Sequence, residues 1–216
     1  MFIWFCKNDK ISINDQLNER CLGVSDRLTL ERIIKFMFDS IGSYLSIRKI
    51  ANTLTSMGHK ITPNTVEWYI NALLDSLIIY DVSRFDIHGK EQLDSLKKYY
   101  IVDTGLRYHL LASHKKDRGH IIENIVYLEL LRRGYNVTVG SIPNGEIDFV
   151  ARKNNEIFYY QVSETVLDEK TLERELKPFN KINDHYPKFL LTMTEFGKND
   201  NFNGIKQLNI LDWLLE

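Results

Sequence analysis

The stretch GEIDFVARKNNEIFYYQVSE, residues 145–164, decides the fold of this chain because it contains two strand patterns joined by a polar turn. Both halves are rich in Ile, Val, Phe and Tyr, which is typical of β-strands. Asn154 and Asn155 separate the two halves, and asparagine favours tight turns. The stretch therefore predicts two neighbouring strands that pair through this turn.

Side chains alternate between the two sides of a strand. In the first strand this alternation predicts Glu146, Asp148 and Val150 on one side, and Ile147, Phe149 and Ala151 on the other. In the second strand it predicts one shared face for Tyr159, Gln161 and Ser163. If the strands pair, Asp148 and Gln161 become neighbours on one face of the sheet.

A long helix is predicted upstream, from about Asp117 to Arg133, and it ends at Gly134. Its Glu123 has no Lys or Arg three or four residues away, so it needs water, a metal ion or a donor from the sheet. Glu129 differs, because Arg132 and Arg133 lie within reach, and we expect it to form a solvent-exposed salt bridge.

Glu123 packed across the strands would complete a cluster of oxygen ligands with Asp148, Gln161 and the Val162 carbonyl. Magnesium prefers oxygen ligands, and a bound ion could activate water for attack on a phosphodiester. The alternative is that the strand acids pair with Arg152 or with a backbone amide. The residues alone leave both interpretations open.

Further strands and helices follow on both sides of this hairpin. A short strand over 135–140 precedes it, and a helix over about 168–180, a strand over 188–193 and a last strand and helix over 204–215 come after it. The order is αβββαβ with a tail. A strand, helix and strand in succession favour a crossover, so the fold class is α/β (α+β) with a mixed sheet.

Residues 28–103 predict three short helices and a hairpin, the order of a winged helix-turn-helix. Ser46 and the pair Thr62 and Pro63 are typical of helix starts, and His88 and Gly89 mark the hairpin turn. The third helix directs these side chains outward: Asn64, Thr65, Glu67, Trp68, Asn71 and Asp75. None is Arg or Lys, which favours a packing or linker unit over a DNA-reading helix.

The composition gives no sign of a nucleic-acid or membrane partner. The 216 residues are 44% hydrophobic, and 28 Lys and Arg balance 29 Asp and Glu, so no overall charge attracts nucleic acid or an anionic membrane. No run approaches the roughly 18 apolar residues of a membrane helix. Cys6 and Cys21 lack CxxC spacing and no secretory signal precedes them, so we expect separate thiols in a cytoplasmic protein.

Glu123, EIDFV with Asp148 and YYQVS with Gln161 and Ser163 together resemble the PD-(D/E)XK nuclease-like superfamily, whose core is αβββαβ. Several further motifs, among them KKYYIVDTGLR and YPKFLLT, resemble the C-terminal half of a family of prokaryotic AAA-type ATPases, a half labelled as a domain of unknown function. The resemblance covers about 28–216. It implies a winged-helix domain over 28–103, a nuclease-like domain over 104–216 and an ATPase remnant over 1–27.

The chain departs from this pattern in two respects. It contains no GxxxxGK[ST], so we expect no ATP site in it. The superfamily's second acid and its lysine correspond to Gln161 and Ser163, which carry no charge. A replacement cation could come from Lys170, Arg174 or Lys177 in the following helix.

The resemblance implies a binding or regulatory module with a degenerate nuclease-like fold, whose partner is an upstream ATPase domain or another protein. One alternative is a magnesium-dependent nuclease of DNA or RNA, with Asp148, Gln161 and Ser163 as catalytic residues and Glu123, Asp148 and Gln161 as metal ligands. The other alternative is a DNA-binding protein that uses the winged helix.

Overall fold

The computed structural model describes residues 26–111, 117–195, 197 and 199–216. The two cysteines and most of the predicted ATPase remnant lie outside the described residues. The α-helices are α1 Arg27–Asp39, α2 Ile47–Ser56, α3 Pro63–Asp75, α4 Thr104–Leu110, α5 Arg118–Arg132, α6 Glu169–Leu176 and α7 Ile210–Leu215. The strands are β1 Tyr44–Leu45, β2 Ile79–Asp86, β3 Glu91–Ile101, β4 Asn136–Ile142, β5 Gly145–Lys153, β6 Glu156–Ser163, β7 Lys188–Thr192, β8 Asn201–Phe202 and β9 Ile205–Asn209.

The strands form one mixed sheet in the order β1-β3-β2-β4-β5-β6-β7-β9-β8. β2 pairs with β4 in parallel, and β6, β7 and β9 are also parallel to one another, whereas the other neighbours are antiparallel. The mixed α/β class is therefore confirmed. The sheet runs without a break across the predicted domain boundary near residue 103, because the β2–β3 hairpin is joined to β4.

Local sequence signals set the helix bounds. The Ser46 side chain accepts a hydrogen bond from the Lys49 N–H and caps α2. The Thr62 side chain accepts one from the Thr65 N–H and caps α3. Pro63 is the first residue of α3. Proline suits this position because its φ is already helical and its missing N–H would have had no partner in the helix. The outward residues predicted for α3 are all exposed. Helix α4, which Asp103 caps, is an element that the sequence patterns did not predict.

The order α5, β4, β5, β6, α6, β7 is the predicted αβββαβ order. The turn between β5 and β6 is where it was expected, because Asn154 and Asn155 have φ values of 51° and 67°. Asparagine tolerates this left-handed region better than other residues with a side chain. No helix among the described residues is long and apolar enough to cross a membrane.

Three groups of buried residues fill the two sides of the sheet. The helical core joins α1, α2 and α3 to one side of β3, including Tyr99 and Ile101. The α5 core lies between α5 and the sheet and includes Tyr100 and Phe149. The α6 core lies on the side of α6, whose Leu172 and Leu176 pack against it. Tyr99 and Tyr100 belong to different cores, so β3 contributes one side to the helical core and the other side to the α5 core.

A β-bulge interrupts the pairing of β4 with β5. Thr138 pairs with Val150 and Gly140 pairs with Ile147, so two residues of β5, 148–149, face one residue of β4. Gly140 has no room for a side chain there, because a Cβ would lie 2.8 Å from Val150 Cγ2 and 3.0 Å from Ile147 Cβ. The bulge turns Ile147 and Val150 to the same side of the sheet.

The strict alternation predicted for this strand is therefore wrong. Ile147 lies with Val150 in the α6 core, whereas Phe149 and Ala151 lie in the α5 core. A bulge adds one residue to a strand, so the sides exchange across it. Asp148 is one of the two bulge residues, and the bulge thus sets its direction.

Glu129 pairs with Arg132 at 2.6 Å and with Arg133 at 2.7 Å, as the sequence predicts. The expectation that Glu129 is exposed to solvent is wrong, because it is buried. Arg133 lies over the ring of Trp213, 4.2 Å from its centroid, and donates a hydrogen bond to the Trp213 carbonyl. The hydrogen bond from Arg132, together with Arg133, lowers the pKa of Glu129. These contacts tie α7 to the end of α5.

Asn124 on α5 is fully buried and continues the backbone pairing of β3. The Ile101 N–H donates to its Oδ1 at 2.8 Å, and its Nδ2 donates to the Ile101 carbonyl at 2.9 Å. We expect Asn124→Ala to lower the free energy of unfolding by roughly 2 to 4 kcal/mol, because it leaves two buried backbone groups without partners. Denaturant unfolding followed by circular dichroism measures this change.

The matched control is Asn71→Ala on the exposed side of α3, which should change stability by less than about 0.5 kcal/mol. Equal stabilities for the two variants would show that Asn124 does not dock α5 on β3.

Candidate functional site

The strands β5 and β6 separate at Asp148. Their regular pairing runs from Lys153 with Glu156 to Phe149 with Tyr160. Beyond it, side chains replace the backbone bonds. The Val162 N–H donates to Asp148 Oδ2 at 2.8 Å, and the Asp148 N–H donates to Gln161 Oε1 at 3.3 Å. The structure therefore brings Asp148 and Gln161 together, as the sequence predicts.

Gln161 faces α6. Its Nε2 donates to Glu175 Oε2 at 3.1 Å, and Arg174 donates to the other oxygen of Glu175 at 2.7 Å. Its neighbour two residues before, Tyr159, belongs to the α6 core. Both ends of the Gln161 amide thus have partners within the protein.

Ser163 has a partner of its own, because its Oγ donates to the Thr165 carbonyl at 3.1 Å. The basic residues that the sequence suggested as replacements for the missing lysine do not supply a cation to this site. Lys170 and Lys177 are exposed, and Arg174 is bound to Glu175.

Glu123 lies on the other side of the sheet, under α5, and its partners come from β3. Lys98 Nζ donates to Glu123 Oε1 at 3.1 Å, and the Tyr100 hydroxyl donates to the same oxygen at 2.5 Å. Of the three kinds of partner that the sequence left open for Glu123, namely water, a metal ion or a donor from the sheet, the structure shows donors from the sheet. Glu123 and Gln161 approach Asp148 from opposite sides of the sheet, so they do not share the single face that the alternation suggested.

Lys98 also donates to Glu146 Oε1 at 3.0 Å, and the ring of Tyr44 lies beside it with its centroid 5.4 Å from Nζ. Lys98 is only 3% exposed, and Glu123 and Asp148 are 8% and 7% exposed. The Glu146 side chain is 34% exposed and forms the side of the site that is open to solvent. We call Lys98, Glu123, Glu146 and Asp148 the acid cluster.

The acid cluster perturbs the pKa values of its members. Burial alone would lower the pKa of Lys98, but the carboxylates of Glu123, Asp148 and Glu146 raise it above its usual range. Burial raises the pKa of Asp148 well above its usual range, and Glu123 adds to the rise, whereas Lys98 opposes it. Burial and the bond to Glu123 likewise raise the pKa of Tyr100. The ammonium group is therefore the stable charge at the centre of the cluster.

These side chains do not fit the magnesium site suggested by the sequence. One oxygen of Glu123 is bound by Lys98 and Tyr100, Asp148 Oδ2 accepts from Val162, and the Gln161 oxygen accepts from Asp148. Magnesium needs several oxygens within about 2.1 Å of one point. Here the ammonium group of Lys98 lies between Glu123 and Glu146.

Sequence reasoning did not single out Lys98 or Glu146 as site residues. Glu146 lies two residues before Asp148 on β5, but its partner is Lys98 on β3, a strand far away along the chain. Lys98 and Tyr100 alternate in β3 and therefore share a side, which could have suggested a charged pair under α5. No local pattern indicates that this side is buried against Glu123.

The chain is similar to proteins without a described function. A family described as a domain of unknown function (DUF8612) matches residues 19–117. An uncharacterized protein of Haemophilus influenzae is 38% identical over 208 residues, which cover 96% of this chain and 50% of that protein. An uncharacterized protein of Methanocaldococcus jannaschii is 32% identical over 145 residues, which cover 63% of this chain and 31% of that protein. The chain thus spans about half or less of the length of these relatives.

Among solved structures, protein VC1899 from Vibrio cholerae matches with a TM-score of 0.30 and 9% identity, over 96% of this chain and 55% of that one. A match this weak carries no argument about fold or function.

The raised pKa of Asp148 gives a prediction about stability. A carboxyl whose folded pKa lies above its unfolded value stabilises the fold at low pH, and this stability is lost as the pH rises toward the folded pKa. Asp148→Asn resembles the protonated form and keeps an oxygen for Val162. We expect it to be at least as stable as the native protein at pH 7, with an advantage that disappears as the pH falls toward about 4.

Urea unfolding of both proteins between pH 4 and pH 8 measures this difference. Asp148→Ala is the matched control, because it removes the acceptor for Val162 and should cost about 1 to 3 kcal/mol. A loss of stability in Asp148→Asn at neutral pH would show that the ionised carboxylate is favoured in the fold.

Proposed function

We propose that this chain is the C-terminal region of an AAA-type ATPase, in which a winged-helix unit and a PD-(D/E)XK-like unit act as a binding or regulatory module without hydrolytic activity. The motifs quoted above support the kinship. The observed element order α5, β4, β5, β6, α6, β7 is compatible with it. Relatives twice as long as this chain leave room for an ATPase domain elsewhere in the protein.

One observation carries the non-hydrolytic part of the proposal. The two β6 positions that would hold an acid and a lysine are the neutral Gln161 and Ser163, and each is hydrogen-bonded within the protein. A charge-stabilising group typically contributes a factor of roughly 10² to 10³ to a rate. β6 supplies neither that group nor the acid that the resemblance implies at position 161.

The two alternatives receive less support. A magnesium-dependent nuclease would need oxygens of Glu123, Asp148 and Gln161 around one ion, whereas one oxygen of each already accepts a hydrogen bond within the protein. A DNA-reading winged helix would need basic residues on the outer side of α3, where the exposed residues are neutral or acidic, with Glu67 and Asp75 among them.

The kinship can be tested on the Haemophilus influenzae relative. We expect the half of that protein that this chain does not match to contain GxxxxGK[ST], and the full-length protein to hydrolyse ATP. Replacing the lysine of that motif by alanine should abolish the hydrolysis, whereas this chain alone should show none. The absence of such a motif from the unmatched half would reject the ATPase kinship.

The lack of hydrolytic activity can be tested directly on this chain. Incubated with plasmid and linear DNA and with Mg²⁺ or Mn²⁺, the native protein should cut no faster than Asp148→Ala. Agarose gels over a time course measure the cutting. Metal-dependent cutting that disappears in Asp148→Ala would establish the nuclease alternative instead.

A further inference from the structure

The acid cluster is a site with a cation of its own. Lys98 Nζ lies 3.1 Å from Glu123 Oε1 and 3.0 Å from Glu146 Oε1, within the range of N–H···O hydrogen bonds. The side chain of Lys98 is 4% exposed. A lysine buried to this degree is rare unless it is paired, and here two carboxylates pair with it.

The elements around Lys98 fix the position of its side chain. Its strand neighbour Tyr100 is fully buried in the α5 core and binds the same oxygen of Glu123. The ring of Tyr44 covers Lys98 from β1, the strand that pairs with β3 at Lys98. Lys98 is therefore held from its own strand, from β1 and from α5, and its ammonium group is built into the fold.

We propose that the Lys98 ammonium is the resident cation of this site, held by Glu123 and Glu146 beside Asp148, and that it takes the position that a divalent metal would need. The inference rests on the cluster itself and stands whether or not the ATPase kinship holds. It assigns roles to Lys98 and Glu146, and it makes the site independent of metal.

The ion pairs of Lys98 also give the cluster a structural role, because they connect separate parts of the fold. Lys98 belongs to the β2–β3 hairpin, whereas Glu123 belongs to α5 and Glu146 to β5. The ion pairs thus join the predicted winged-helix unit to the predicted nuclease-like unit at the sheet. Removing one partner of a buried pair leaves an uncompensated charge, which is far more costly than removing both partners.

Metal binding is the first test. Isothermal titration of the native protein with Mn²⁺, in metal-free buffer, should show no site at a ratio of one ion per chain. The same titration of Glu123→Gln serves as the reference. One Mn²⁺ per native chain that is lost in Glu123→Gln would overturn the proposal.

Stability of lysine variants is the second test. Lys98→Met should lower the Tm by roughly 6 to 15 °C, because it leaves Glu123 buried without its cation. The matched control is Lys97→Met at the neighbouring position, where Lys97 pairs with Asp81 but is 43% exposed. That variant should shift the Tm by less than about 3 °C. Equal shifts for the two variants would overturn the proposal.

The double variant Lys98→Met/Glu123→Gln separates a lost ion pair from a simple packing defect. It removes both charges, so its Tm should lie above that of Lys98→Met by several degrees. If Lys98→Met does not fold, a folded double variant supports the pair in the same way. A double variant that is no more stable than Lys98→Met would count against a role for the charge of Lys98, and the Mn²⁺ titration decides the metal question independently.

Discussion

The docking of α5 on β3 is the interaction on which the rest of the structure depends. Two neighbouring residues of α5 make it, since Glu123 accepts from Lys98 and Tyr100, and Asn124 pairs with the backbone of Ile101. All these groups are buried, so each must find its partner inside the protein. This requirement fixes both the position of α5 along β3 and its rotation. It also joins the three-helix part of the chain to the remainder.

A second constraint acts within the sheet. The bulge at 148–149 exchanges the sides of β5, and β5 and β6 separate at the same point. Asp148 therefore bonds to Val162 in the plane of the sheet while it remains under the electrostatic influence of Glu123 and Lys98. Bulges often redirect side chains near functional sites. Gly140 is needed beside the bulge, because a side chain there would collide with Ile147 and Val150.

Local signals in the sequence predicted the caps of α2 and α3, the turn at Asn154 and the order αβββαβ, since each depends on residues close together in the chain. They also brought Asp148 next to Gln161. The features that were missed are not local. The pairing of Arg84 with Val139 makes one sheet of the two predicted units, and the contact of Lys98 with Glu123 depends on how α5 crosses β3. One extra residue in β5 was enough to defeat the alternation rule, and no periodic pattern reveals such a residue in advance.

The positive charge of this site lies on a different strand from the one that the resemblance implies. A lysine at position 163 would lie at the end of β6, whereas Lys98 reaches Glu123 and Glu146 from β3. A metal ion binds and leaves, but the ammonium group of a buried lysine stays, and its desolvation is offset only by the carboxylates around it. A permanent cation holds Glu123 and Glu146 in one arrangement, and it occupies one oxygen of each. The cluster therefore acts as a structural joint between α5, β5 and the β2–β3 hairpin, and the identity of residue 98 determines whether it can do so.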